Sequence, residues 1–259
     1  MTDTRSPAAT VSSAYCQSIF TTATGLGADG DTLLSVLGAD GDSFANPAKR
    51  FDCHAILDML ALAEQQTGNT SIGLASGINF TPATFGDVGY AAISSSTLRE
   101  AGEINTKYAK LNQQFGMTDF EAVDGVARSN WYPFIEDAER MRPITEAVFT
   151  GLVNVGRWLL WSYNEQAKLV RFRHKKPSEQ DPCAAYFGCK IEYEQEIDSL
   201  EYAGHLADAK LPQSNPTVLA MLKLRLDHSI NNLETHNTTA SEVYQCIQHL
   251  IAEELPTAT

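Results

Sequence analysis

Cysteine is scarce in this 259-residue chain, and its few positions are scattered. Cys16, Cys53, Cys183, Cys189 and Cys246 are odd in number and scattered, which favours reduced thiols in the cytoplasm over a disulfide framework. Cys183 and Cys189 are the one close pair, and without a second pair they do not make a zinc site. Long apolar runs are also absent. Nothing approaches the roughly 18 residues that a membrane span needs, and the N-terminus lacks the basic start and apolar stretch of a signal peptide. Positive charge is short as well: 19 Lys and Arg stand against 32 Asp and Glu, a formal net charge of −13. A chain this acidic is not expected to grip nucleic acid by itself, because neutralising phosphates needs a basic face.

The motifs of common catalytic machinery are missing too. There is no Gly-x-Ser-x-Gly elbow, His-Glu-x-x-His pair, phosphate-binding loop or dinucleotide fingerprint. The six histidines lie isolated along the chain. Two Asp-Gly-Asp runs, at Asp29 and Asp40, fail as calcium loops because hydrophobic residues fill positions that need glycine or glutamate. They read as turns. No catalytic residue, metal or cofactor is therefore expected; an enzyme is unsupported rather than excluded.

What the chain does contain is organised around Lys168 to Pro212. Val170, Phe172 and His174 alternate with Leu169, Arg171 and Arg173, the period of a half-buried strand. A helical turn over Ala184 to Phe187 is closed by Gly188, and Ile191, Tyr193 and Gln195 alternate again. Asp198-Ser199 reads as a turn, with Leu200, Tyr202 and Gly204 returning as a partner strand. Upstream, Asp124-Gly125 inside Phe115 to Tyr132 is a strong two-residue hairpin signal. The sum is an α+β fold, with an antiparallel sheet of about four strands and helices packed around it.

Among the helices, Asp52 caps a segment carrying Ile56, Leu57, Leu60 and Ala63 that ends at Gly68. Thr97-x-x-Glu100 is a capping box for the next clear helix. The longest helix spans roughly Ile135 to Tyr163, with Pro143 in its first part. Two more follow Pro216 and Thr238, the last with Val243, Ile247, Leu250 and Ile251 as its stripe. The apolar Ser71 to Phe80 gives no clear element, and Gly86-x-x-Gly89 reads as close packing. Residues 1–12 read as a disordered tail and 13–255 as one domain.

Two blocks carry a family resemblance. One holds Phe172-Arg173-His174, Pro177, Tyr186-Phe187-Gly188, Ile191, Leu200-Glu201-Tyr202, Leu211-Pro212 and Asn215-Pro216-x-Val218-Leu219. The other runs from Gly86 through Gly89-Tyr90-Ala91 and Ser94-Ser95-Ser96-Thr97-Leu98 to Glu100-Ala101. Together they resemble the arabinose-binding-like N-terminal effector domain of AraC-type transcriptional regulators. The resemblance implies a small-molecule effector, a possible homodimer, and DNA contact only through a helix-turn-helix module that is expected to be absent from this chain. Ligand-independent dimerisation is the alternative role. Effector pockets are apolar with a few placed polar groups, so the aromatic cluster supplies the candidate ligand-binding residues: Trp131, Trp158, Phe172 and Tyr193. Arg157 is placed to meet an anionic effector. His174 could donate to an effector carboxylate or simply close its strand.

Overall fold

The computed structural model describes residues 9–162, 165–177 and 181–236. The expected tail is ordered over its last part: Thr10–Ser12 forms strand β1, while residues 1–8 lie outside the described residues. Then follow α1 (Ser13–Gly25), α2 (Gly30–Val36), β2 (Arg50–Asp52), α3 (Cys53–Thr67) and α4 (Ile72–Asn79). The middle of the chain holds α5 (Gly86–Ser94), α6 (Leu98–Asn112), the hairpin β3 (Gly116–Val123) and β4 (Val126–Pro133), and the long α7 (Ala138–Leu160). The last part is β5 (Leu169–Arg171), α8 (Pro182–Phe187), β6 (Lys190–Glu192), β7 (Asp198–Ala203) and α9 (Pro216–His236). The helix expected over Thr238 to Leu255 lies outside the described residues.

Many helix boundaries follow local chemistry. The Asp52 carboxylate accepts the Ala55 N–H at 3.0 Å and opens α3, and Gly68 closes it at φ 66°. Asp29, from the first acidic run, caps α2 through Thr32 N. Thr97 accepts the Glu100 N–H as a capping box requires, but the Glu100 carboxylate turns to Ser96 N instead of Thr97 N. In α1 Ala14 is exposed, and Tyr15, Cys16 and Ile19 fill the core. The glycine-rich segment that gave no clear sequence signal is α4. Its Gly73 and Gly77 lie one turn apart against α7, where added Cβ atoms would stand 2.1 Å from Pro143 O and 2.5 Å from Ala147 O.

The fold is α+β. A small antiparallel pair, β1 with β2, accompanies a five-stranded sheet in the order β3-β4-β7-β5-β6. This sheet has one strand more than expected, and it is mixed: β6 runs parallel to β5, because α8 lies between them as a crossover. Asp198-Ser199 is not a turn. It begins β7, and the reversal falls earlier, near Glu194 at φ 57°. The Asp124-Gly125 turn is as expected, with φ of 51° and 77°.

The sheet has a wet face and a dry one. On the wet face Glu121, Arg128, Glu201, Arg171 and Glu192 form an ion-pair ladder through all five strands; Glu201 accepts from Arg128 at 2.9 Å and Arg171 at 2.6 Å. Arg171, which opens the short basic run Arg171, Arg173, Lys175 and Lys176, is thus neutralised. On the dry face lie Thr118, Trp131, Ser129, Leu200, Tyr202 and Val170, covered by helices.

Candidate functional site

A cavity of about 160 Å³ lies between the dry face of the sheet, α6 and α7. β3 and β4 contribute Thr118, Phe120, Ala127, Ser129 and Trp131, and β7 contributes Tyr202. α6 presents Leu98, Ala101, Gly102, Asn105, Ala109 and Asn112, a face with little side-chain volume. From α7 come Val148, Leu152, Val155, Gly156 and Leu159, and Tyr15, Phe80, Phe85 and Val88 close one side. The void follows from small residues. Ala92, Ala101, Gly102, Ala109, Ala127 and Gly156 stand where larger side chains would fill the space.

Its wall is apolar apart from a few groups. Asn105 Nδ2 donates to Thr118 Oγ1 at 3.2 Å. Gln113 is spent on the chain, accepting the Phe115 N–H at 2.7 Å. Two wall donors have no partner: the Trp131 indole Nε1 and the Asn112 amide Nδ2, in residues 1% and 7% exposed. A buried donor without a partner costs about 1–3 kcal/mol. Arg157 stands at the other end of the wall. Its Nε donates to Glu165 O at 3.3 Å and its guanidinium lies 5.4 Å from the Tyr186 ring centre.

Of the six residues expected to bind ligand, the structure brings Trp131 and Arg157 to the cavity. Trp158 is half-buried and packs beside Leu159 and Leu211 instead. Phe172, Tyr193 and His174 sit elsewhere under α7. Phe172 is stacked between Phe149, at 5.6 Å, and Tyr193, at 5.7 Å, with the His174 ring 4.6 Å away. Strand alternation correctly turned Phe172 and His174 inward, but onto packed core.

A dry polar cluster adjoins those rings. Arg142 on α7 holds the Glu64 carboxylate at 2.7 and 2.6 Å and donates to Thr70 O at 2.6 Å. Glu146, one turn on and 1% exposed, lies 3.5 Å from Arg142. Burial pushes its carboxyl up to about 7, against the pull of Arg142. His174 Nδ1 lies 2.8 Å from Lys175 O and so carries the ring proton. Nε2 is then a bare acceptor, 3.9 Å from Glu146 and unpartnered. Burial pulls this imidazole down to about 4, keeping it neutral. His174 thus makes a local hydrogen bond just beyond the end of β5.

The cavity residues missed by sequence reasoning are chiefly those of α6. The apolar pattern of Leu98, Ala101, Tyr108 and Leu111 reads as one face; Leu98 and Ala101 do line the cavity, but Tyr108 faces α9 with Leu219 and Leu226. The cavity face is offset, through Gly102, Asn105, Ala109 and Asn112. Its signal was a run of small and amide side chains at helical spacing.

The family pattern described as the arabinose-binding domain of AraC transcription regulators, N-terminal, matches residues 27–211. The chain belongs to this family. The AraC-type domain also resembles the crystal structure of the transcriptional regulator CdpR from Pseudomonas aeruginosa, at 14% identity and a TM-score of 0.57, covering 88% of this chain and 70% of that one. At that identity the likeness speaks for the fold alone. No curated protein sequence matches the chain. In this AraC-type domain no described helix is long and apolar enough to cross a membrane.

Proposed function

We propose that the chain is the ligand-sensing part of an AraC-type transcription regulator, working in the cytoplasm by binding rather than catalysis. A small-molecule effector enters the cavity, and its presence passes through α5 and α6 to α9, and from there to a DNA-binding module. The observation that carries this reading is the double use of α5 and α6. One face of each lines the cavity, and the other holds α9 through Ala91, Ile104 and Tyr108 against Leu219 and Leu226, with Val88 shared by both. Charged contacts repeat the coupling, with Asp227 accepting from Lys107 and from the Tyr108 hydroxyl, both at 2.7 Å. A ligand that repositions α6 biases α9 by its differential affinity for the two arrangements.

Binding is favoured over catalysis because the perturbed carboxyl and imidazole, Glu146 and His174, lie outside the cavity wall, sealed in core, while burial pushes the wall phenols Tyr15 and Tyr202 up and keeps them protonated. Burial likewise pushes the Cys16 and Cys53 thiols up to about 12, so they are inert. The test is a thermal-shift screen of small apolar and amphiphilic metabolites on the wild type and on Ala109→Leu. The variant fills existing space, so its unliganded Tm stays level or rises. A ligand that raises the wild-type Tm is expected to lose its effect in the variant. A screen without any stabilising ligand contradicts the reading.

A second reading, a dimerisation module independent of ligand, has one observation behind it. Val218, Met221 and Leu224 on α9 are 40%, 65% and 74% exposed and share one face. It predicts a concentration-dependent dimer in sedimentation that Leu224→Glu dissolves; a wild-type monomer at all concentrations removes it.

A further inference from the structure

We infer that the cavity takes a compact, neutral molecule made chiefly of hydrocarbon, the size of a single substituted ring, and turns away sugars, carboxylates and amines of the same size. The inference rests on the cavity reading proposed above and assigns it a ligand class. Size comes first. A void of about 160 Å³ is close to that of an engineered apolar cavity that stays dry and admits benzene, which leaves room for roughly six to ten heavy atoms. A long acyl chain or a disaccharide exceeds it. The wall also resists widening, because its rings rest on backbone and on each other. A Cβ on Gly102 would stand 3.1 Å from the Phe120 ring, and one on Gly151 2.7 Å from the Phe80 ring. Phe80 in turn lies 4.9 Å from the Tyr15 ring centre and 5.6 Å from that of Phe85. Close-packed groups of this kind yield little to an oversized ligand.

Polarity comes second. The amide and carboxylate groups of the wall are largely engaged with protein. Asn105 Nδ2 donates to Thr118 Oγ1, and Gln113 spends both ends of its amide, on Phe115 N and Gly116 O. Asp119 accepts from Asn130 N and the Tyr132 hydroxyl. The Trp131 and Asn112 nitrogens lack partners, but they have almost no accessible surface and so do not meet a molecule in the void. A few hydroxyls remain, among them those of Ser129 and Tyr202. They can serve one polar atom. A sugar carries a hydroxyl on nearly every carbon, and most of these would exchange water for apolar wall.

Charge comes third. Arg157 is the one cation on the described wall, and it stands against two acidic residues, Asp119 and Glu165. Its Nε is held by Glu165 O, and its guanidinium lies over the ring of Tyr186, which is outside the wall. A ligand carboxylate would therefore leave water for a wall with no surplus of positive charge. An amine fares no better, since the Asp119 carboxylate already has two donors. Either ion is disfavoured strongly against a neutral hydrocarbon.

Cumene, benzoate, phenethylamine and arabinose are close in heavy-atom count and present a hydrocarbon, an anion, a cation and a polyol. Calorimetric titration with each, on the wild type and on Ala109→Leu, decides the matter. Cumene is expected to bind the wild type about tenfold more tightly than any of the other three, because each of those buries a polar or charged group without a partner. In Ala109→Leu cumene binding is expected to be lost while the unliganded Tm stays level or rises. Benzoate binding tightest, with the advantage lost in Arg157→Met, overturns the assignment in favour of an anion and leaves the cavity reading standing. Arabinose or phenethylamine binding tightest, and losing that binding in Ala109→Leu, does the same in favour of a polar ligand. Cumene binding that Ala109→Leu leaves untouched overturns the assignment by placing the molecule elsewhere. Binding of none of the four also overturns it, and the cavity reading is then decided by the thermal-shift screen of the wider metabolite set.

Discussion

At the scale of single residues, the molecule separates groups that are buried for packing from groups buried without partners. Glu146 belongs to the first kind. Its carboxyl is raised in the folded protein to about 7 because burial outweighs Arg142. A raised carboxyl favours the protonated state, so its contribution to stability is full below the unfolded value near 4.5 and is lost as pH rises through about 7. Glu146→Gln, neutral at every pH, is therefore expected to exceed the wild type by on the order of 2 kcal/mol at pH 8, with the gap closing towards pH 5. Urea unfolding at the two pH values checks this; a variant weaker than wild type at both would mean that Glu146 is ionised and held by Arg142. His174 acts in the opposite sense. Its lowered imidazole contributes stability above about 6.5 that is lost as pH falls through about 4. None of this was legible in the sequence, since alternation turns His174 inward but says nothing of what waits there. Trp131 and Arg157 reached the cavity because they flank it on β4 and α7. Phe172 and Tyr193 missed it because aromatic rings with neighbours on both faces leave no space.

At the scale of elements, what could be read in advance was what local chemistry fixes. The Asp52 and Gly68 ends of α3, the hairpin turn at Asp124-Gly125 and the inward side of β5 all depend on near neighbours in sequence. The parallel placement of β6 depends on where α8 crosses, which no periodicity encodes. α4 was unreadable for a related reason: glycine is a poor helix former, and its value here lies in the partner it approaches. Gly77 shows the consequence, for a Cβ would stand 2.5 Å from Ala147 O and 2.8 Å from Gly151 N. Gly77→Ala removes a poor helix former yet is expected to destabilise by about 1–3 kcal/mol through overpacking. Denaturant unfolding checks the sign, and a stabilised variant would show that α4 and α7 can part at little cost. The ion-pair ladder makes a contrasting case. Arg171 and Arg128 hold Glu201 below the usual carboxylate range despite its burial, yet partly exposed pairs of this kind are worth roughly 0–1 kcal/mol each. The ladder therefore sets strand register more than stability.

At the scale of the whole molecule, the resemblance found in two sequence blocks and the family match over residues 27–211 agree on the AraC-type N-terminal domain. The second block maps to α5 and the start of α6, and the first to β5, α8, β6 and β7 and the start of α9. Those are elements of the cavity wall, the sheet and the helix that rides on the wall. The void itself had no sequence signature, because it arises from small side chains brought together by distant parts of the chain. The central claim is that a molecule in this void is felt at α9. Hydrogen exchange read by mass spectrometry, on the chain with and without a saturating ligand taken from the thermal-shift screen, tests it most directly. Slower exchange in α6 accompanied by altered exchange in α9 is the expected result; exchange unchanged along both helices while the ligand is bound would contradict it.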